Sequence, residues 1–155
     1  MAQHDATIAW LNDDPEGFLH GRYSRAHSWR FDGGAVVPGS SAPSSVPVPM
    51  SDPAGVDPEE AMIASLSSCH MLWFLAFAAN AGLVVDTYVD EASGQMGRDE
   101  NGKRYLAEVT LRPFTSFTGR EPDQAEIDAL HHQAHDHCEM AHSVRATITV
   151  EATIG

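Results

Sequence analysis

The sequence predicts an α+β fold, on three observations. Short runs that alternate apolar and polar side chains occur at both ends of the chain, one long charge-free segment lies between them, and a second helical stretch precedes the last alternating run. The resulting order is strands, long helix, strands, helix, strand, which lacks the regular alternation of a βαβ repeat. With 155 residues, 43% apolar and 20% charged, the chain suits a single domain over residues 1–155 with its own core and no internal repeat.

Residues 1–56 hold three strand-like runs, Ala6 to Trp10, Ala26 to Phe31 and Ala35 to Val37, and the Asp32-Gly33-Gly34 sequence between the last two signals a hairpin. Pro38 to Pro58 carries six of the nine prolines and predicts an extended surface loop. A helix over residues 57–81 follows. Asp57 suits its N-cap, Pro58 its first turn, and Glu60 stands three residues after the cap as in a capping box. Asn80-Ala81-Gly82 supplies its stop. Leu83 to Asp90 reads as a strand, and after the Asp99-Glu100-Asn101-Gly102 turn Arg104 to Pro113 alternates as a half-buried one. Pro122-Asp123 opens a second helix over residues 123–138, and the β-branched alternation of Val144 to Ile154 predicts a closing strand.

From Ala61 to Val85 there are 25 residues with no Asp, Glu, Lys or Arg, long enough to span a bilayer. Ser65, Ser67, Ser68, His70 and Asn80 interrupt it, and its flanks (Glu59, Glu60 and Asp86) are acidic rather than cationic. The expectation is therefore a helix buried on nearly all sides in a soluble protein, with no membrane partner. Nine Lys and Arg against 22 Asp and Glu give a formal charge of −13, which repels phosphate backbones and anionic headgroups and argues against nucleic-acid binding. Met1 to Asp14 has neither a basic nor an apolar leader region, which predicts a cytoplasmic location. Two cysteines, Cys69 and Cys138, do not make a disulfide framework for a chain this long.

Cys69 lies near the middle of the long helix, roughly 18 Å past the proposed cap, beyond the reach of the helix dipole. A free thiol near its usual pKa of about 8.5 is only a few per cent ionised at neutral pH, so an active Cys69 needs a cation nearby. Ser65, Leu66, Leu72 and Trp73 share its face, with Met62 and Ala76 a turn further, which predicts a mostly apolar pocket. His70 points about 100° away around the helix and is a poor partner for it. Without a cation, both cysteines read as buried apolar residues. As a pair they also suit a peroxidatic and resolving couple.

The second helix carries His131, His132, His135 and His137, with His142 beyond. The spacing of His131 and His135, with Cys138 near, raises a zinc or nickel site as a second reading. HExxH and CxxC motifs are absent, and a solvated histidine face is the preferred expectation, with no metal.

The run DPEEAMIASLSSCH, with Glu59 ten residues before Cys69, resembles the OsmC/Ohr family of osmotically inducible and organic hydroperoxide resistance proteins. Gly82-Leu83-Val84-Val85, AHDHCEMAHSVRATITV and YSRAHSWRFDGG extend the resemblance over nearly the whole chain. It implies two long central helices wrapped by antiparallel sheets in an intertwined homodimer, and a cysteine-based peroxidase that needs no cofactor. Cys69 matches the family's peroxidatic cysteine, Cys138 its resolving cysteine, and Glu59 the glutamate that pairs with an activating arginine. Arg25 best matches that arginine and Arg22 is the second choice. The implied substrate is an organic hydroperoxide held against Met62, Leu66 and Trp73, and the implied reductant a small or protein dithiol. One departure follows Cys138, where Glu139-Met140-Ala141-His142 replaces an apolar or Pro residue and then Ser or Asn; Glu139 is expected to raise the Cys138 pKa and slow resolution. Glu59 and Cys69 of one continuous helix lie about 15 Å apart along its axis, so one arginine serving both is most simply placed across a two-fold axis. The remaining alternative is a non-catalytic stress protein of the same fold, in which Cys69 would react with iodoacetamide only above about pH 8.

Overall fold

The computed structural model describes all 155 residues. They form two compact units, Met1–Ala61 and Met62–Gly155.

In the first unit β1 (Ala6–Ala9), β2 (His27–Phe31) and β3 (Val36–Gly39) make an antiparallel sheet in the order β1-β2-β3. The β2–β3 hairpin turns at Gly34, whose φ of 88° lies in the left-handed region that glycine tolerates best. A short helix that the strand pattern conceals, α1 (Pro15–Leu19), sits between β1 and β2. Its signal is local: the Asp14 carboxylate accepts from the Gly17 amide at 2.9 Å and Pro15 opens the first turn.

The proline-rich segment is not extended. It is a chain of turns whose ends close on one another, with Ser40 N–H donating to the Val56 carbonyl (3.1 Å) and Val56 N–H to the Pro38 carbonyl (2.9 Å). Ser40 and Ser51 are buried, and Ser40 Oγ accepts from the Asp52 amide. Polar groups of a packed loop must find internal partners, and the Ser40 hydroxyl supplies one, which the proline count alone does not reveal.

α2 (Pro58–Asn80) has the expected caps. Asp57 accepts from Glu60 N–H at 2.8 Å while Glu60 accepts from Asp57 N–H at 3.2 Å, a reciprocal capping box. At the other end Gly82 takes φ 74° and the Leu83 amide reaches back to the Ala78 carbonyl. The burial differs from the expectation. Within the single chain only 22% of the helix's most apolar stretch is buried, along the four-residue stripe Leu66, His70, Phe74 and Ala78, while Met62 and Leu72 are exposed. It is the one helix of the chain long and apolar enough to cross a membrane.

The second unit adds β4 (Val84–Asp90), β5 (Ser93–Arg98), β6 (Arg104–Leu111), β7 (Pro113–Thr118), α3 (Gln124–His137), α4 (Glu139–His142), β8 (Thr147–Val150) and β9 (Thr153–Ile154). They form two three-stranded sheets, β4-β7-β9 and β5-β6-β8. The expectation of antiparallel sheets holds for β4–β7 and β5–β6 but not for β6–β8 and β7–β9, which are parallel. The cause is connectivity: α3 intervenes between β6–β7 and the tail, and a crossover through a helix returns a strand parallel to the one it left.

Two expected strands are each broken. Arg104 to Pro113 divides at Arg112, and the closing strand divides at Glu151-Ala152, so both cross from one sheet to the other at the same level. Arg112 fastens the two breaks, with Nε 3.2 Å from Glu151 Oε2, Nη1 donating to Ser93 Oγ, and its amide to Asp90. Strands β5 and β7 are not evident from the sequence pattern.

The buried stripe of α2 serves two cores. Phe74 and Ala78 join Leu83 and the α3 residues Ile127, Leu130 and Ala134; Leu66 joins Val109 and Leu111 of β6. Burying a side chain of this size contributes roughly 1.5–3 kcal/mol, so these few residues orient both sheets on the helix.

Candidate active site

α3 carries its apolar stripe at positions 127, 130 and 134, and position 131 falls inside the same stripe. His131 is therefore buried, which corrects the expectation of a wholly solvated histidine face; His132 and His137 are exposed and His135 is half-buried. Across the core His70 occupies the equivalent stripe of α2. His70 Nε2 and His131 Nδ1 are 2.9 Å apart in nearly parallel rings, one nitrogen donating to the other, and Phe74 stacks on His131. Burial first, and then neighbouring histidines, push His70 down to about 4 and His131 to about 3.

Both values lie below the unfolded reference of 6.5, so the unfolded chain takes up more protons than the folded one as pH falls below 6.5. Stability is full above that pH and is lost on acidification, by about 1.4 kcal/mol per pH unit for each histidine until the folded pKa is reached. The urea midpoint should fall steeply from pH 7 to pH 5, and His131→Gln should flatten that slope. A midpoint unchanged over that range would contradict a neutral buried pair.

The same helices bring the two sulfurs together. Cys69 is half-buried on α2, one position before His70. Cys138, at the C-cap of α3, is buried, and its Sγ accepts from the Ala141 amide at the start of α4. Burial first, and then interaction with the Cys69 thiol, push Cys138 up to about 11. The space bordered by Leu66, His70, Leu111 and Cys138 has no room for a water molecule.

Glu139 behaves otherwise than expected. Its carboxylate turns to Cys69 rather than Cys138: Oε2 accepts from Cys69 Sγ at 3.5 Å and from the Trp73 indole N–H at 3.0 Å. The Trp73 hydrogen bond, with the Cys69 thiol contributing, holds the Glu139 carboxyl below the usual carboxylate range. Trp73 sits one turn beyond Cys69, and its ring stacks on Phe77 and lies near His137. Met62 is exposed about two turns before Cys69. Leu66 is 1% exposed and packs with Val109 and Leu111, so it supports the site from below rather than bordering open space.

Arg25 belongs to the first unit. Its guanidinium lies 3.6 Å from the centre of the Tyr23 ring and donates to the Gly21 carbonyl. It borders a cavity of about 390 Å³ with Ile8, Trp10, Phe18, Tyr23 and His27. Phe18 and Tyr23 rings are 4.7 Å apart, an aromatic cluster that the strand pattern gives no hint of. Arg22 is exposed, and no ion pair within the chain joins Arg25 or Arg22 to Glu59. The ligand set His131, His135 and Cys138 does not assemble: His131 Nδ1 is engaged with His70, and no three His, Cys, Asp or Glu side chains are grouped to hold a metal ion.

A half-buried thiol on one helix and a buried thiol at the end of another stand on an α+β scaffold with mixed sheets. The chain belongs to the family of OsmC-like proteins, whose profile matches residues 51–153. An OsmC-like protein of unknown function from Vibrio cholerae is 44% identical, with 99% of this chain and 100% of that one covered and a TM-score of 0.95. An organic hydroperoxide resistance protein from Elizabethkingia anophelis shares the fold at 19% identity (100% and 96% covered, TM-score 0.71). The organic hydroperoxide resistance protein OhrB of Bacillus subtilis does so at 18% (99% and 98% covered, TM-score 0.65). No curated protein matches the sequence.

Proposed function

We propose that this protein is a thiol-dependent peroxidase that reduces organic hydroperoxides. The observation that carries the reading is the meeting of Cys69 and Cys138, one half-buried on a helix and the other buried at a helix end, close enough for their thiols to interact. The Cys69 thiolate attacks the outer oxygen of ROOH; the O–O bond breaks, the sulfur takes the OH as sulfenic acid, and the alkoxide leaves as ROH after gaining a proton. Cys138 then attacks that sulfur, forming the disulfide and releasing water. A small or protein dithiol exchanges with the disulfide and restores both thiols, as a reducing cytoplasm would supply.

Arg25 and Glu59 complete the site in this reading. Two copies of the chain pair through the exposed apolar face of α2, which includes Met62 and Leu72, and the arginine and glutamate reach Cys69 across the two-fold axis. The guanidinium stabilises the thiolate and orients the peroxide; Glu59, half-buried and without a hydrogen-bond partner of its own in the chain, holds it in place. Met62 and Trp73 border the approach to the sulfur and favour an organic group, whereas hydrogen peroxide gains little from apolar contact there.

One equivalent of cumene hydroperoxide should abolish both titratable thiols of the reduced protein, and a dithiol should restore them. Loss of one thiol only, or of neither, would overturn the mechanism.

A further inference from the structure

The first unit carries a cavity walled by rings. Trp10, Phe18 and Tyr23 stand with ring centres 4.7 to 5.8 Å apart, tilted or edge-on to one another, the spacing and geometry that aromatic pairs prefer. Two of the rings are fixed by their own chain: the Trp10 indole N–H donates to the Ser24 carbonyl at 2.8 Å, and Phe18 stands on α1, which the Asp14 carboxylate caps. The cluster nonetheless leaves apolar surface open. Trp10 and Phe18 are 41% and 42% exposed and Ile8 59%, around a space of about 390 Å³, within the roughly 300–1,000 Å³ of small-molecule sites. The polar groups on its rim differ in what they offer. Both His27 nitrogens are engaged, one with the Arg25 carbonyl and the other with the Trp29 indole, each at 2.7 Å. Arg25 uses only Nη1 on the Gly21 and Tyr23 carbonyls; its Nε and Nη2 donate to nothing in the chain, while the guanidinium rests on the Tyr23 ring.

We propose that this cavity holds an aromatic ring of the substrate, and that the protein takes aryl hydroperoxides in preference to small alkyl ones. The inference rests on the peroxidase reading above and adds the substrate class to it: where Arg25 reaches Cys69 of the other copy, the cavity that Arg25 borders comes with it. In an aryl hydroperoxide whose ring is bonded to the peroxide-bearing carbon, ring and peroxide are only a few bonds apart. The peroxide oxygens then accept from the unengaged guanidinium edge while the ring covers the open apolar surface of Ile8, Trp10 and Phe18. Such a ring gains twice, from removal of apolar area from water and from edge-to-face contact with the walls, whereas a small branched alkyl group gains only part of the first. The two gains together give a preference of about tenfold for phenyl over methyl at the same carbon.

The test has a rate arm and a binding arm. Rate constants are measured for oxidation of the reduced protein by cumene hydroperoxide and by tert-butyl hydroperoxide, which differ by phenyl for methyl at one carbon, and their ratio is divided by the same ratio for a free small thiol. The wild-type protein should favour cumene hydroperoxide by about tenfold on that scale. Phe18→Leu and Trp10→Leu, which keep apolar bulk and remove a ring, should each slow the reaction with cumene hydroperoxide more than that with tert-butyl hydroperoxide and cut the ratio severalfold. In the binding arm the wild-type protein, labelled with nitrogen-15, is titrated with 2-phenyl-2-propanol, the alcohol that cumene hydroperoxide leaves. The chain's three tryptophans give three indole N–H resonances, and that of Trp10, assigned by its loss in Trp10→Leu, should shift with this alcohol and not with tert-butanol. A shift of the Trp73 resonance alone would put the ring on α2 and overturn the proposal. A normalised ratio near one, or one that neither substitution changes, would overturn the role of the cavity while leaving the peroxidase reading intact. A protein that neither peroxide oxidises would overturn that reading, and this inference with it.

Discussion

Cys69→Ser should reduce turnover of cumene hydroperoxide with a dithiol reductant to the level of protein-free solution, without unfolding the protein. The serine hydroxyl is far less acidic and less polarisable than a thiol and does not attack an O–O bond under these conditions. The fold should tolerate it. Position 69 is half-buried on a helix that already carries Ser65, Ser67 and Ser68, and Ser65 Oγ donates back to the Met62 carbonyl at 2.9 Å, an arrangement open to a new hydroxyl. Glu139 Oε2 remains available as an alternative acceptor. The melting temperature should therefore move by no more than about 4 °C, the shift that about 1 kcal/mol produces in a domain of this size. Turnover retained in a folded variant would remove Cys69 from the chemistry.

Cys138→Ser should lose multiple turnover yet still consume one equivalent of peroxide per chain, leaving a sulfenic acid at Cys69 that a carbon nucleophile such as dimedone captures. Because Cys138 is buried and its sulfur accepts from the Ala141 amide, Cys138→Ala serves as a second variant in which any effect of a buried hydroxyl is absent. The wild-type protein makes a linked statement. Cys138 is pushed up to about 11, so its attacking thiolate is scarce at neutral pH. Closure of the disulfide should quicken by about tenfold per pH unit between pH 7 and pH 10, while the first oxidation follows a different profile. A closure rate indifferent to pH would mean that another group removes the Cys138 proton. Wild-type turnover in both Cys138 variants would mean that the dithiol reduces Cys69 directly.

Much of this was legible in residue order. The limits of α2 follow from Asp57, Glu60 and Gly82, because caps are made by neighbours in sequence and need nothing from the rest of the molecule. The same holds for α3, where the Asp123 carboxylate accepts from the Glu126 amide at 2.9 Å. The α+β class and the strands β1, β2 and β6 are likewise carried by local alternation. Positions 69 and 138 stood out as a pair through their helical placement and the DPEE and SSCH runs.

The buried histidines were half legible. His70 keeps the four-residue spacing of Leu66 and Phe74, and His131 that of Ile127, so each lies on an apolar stripe; that they meet at 2.9 Å depends on the crossing of two helices 61 positions apart in sequence. The partner of Glu139 was not legible at all. Adjacency favours Cys138, yet the turn into α4 swings the carboxylate to Cys69 and Trp73 on another helix. The breaks at Arg112 and Glu151, and the parallel pairing that the crossover through α3 imposes, also lie outside any single window. Caps, periodicity and turn chemistry act over a few residues and are written in order along the chain, whereas which side chains touch across helices and sheets is set by long-range packing, where burial and geometry outweigh neighbourhood in sequence.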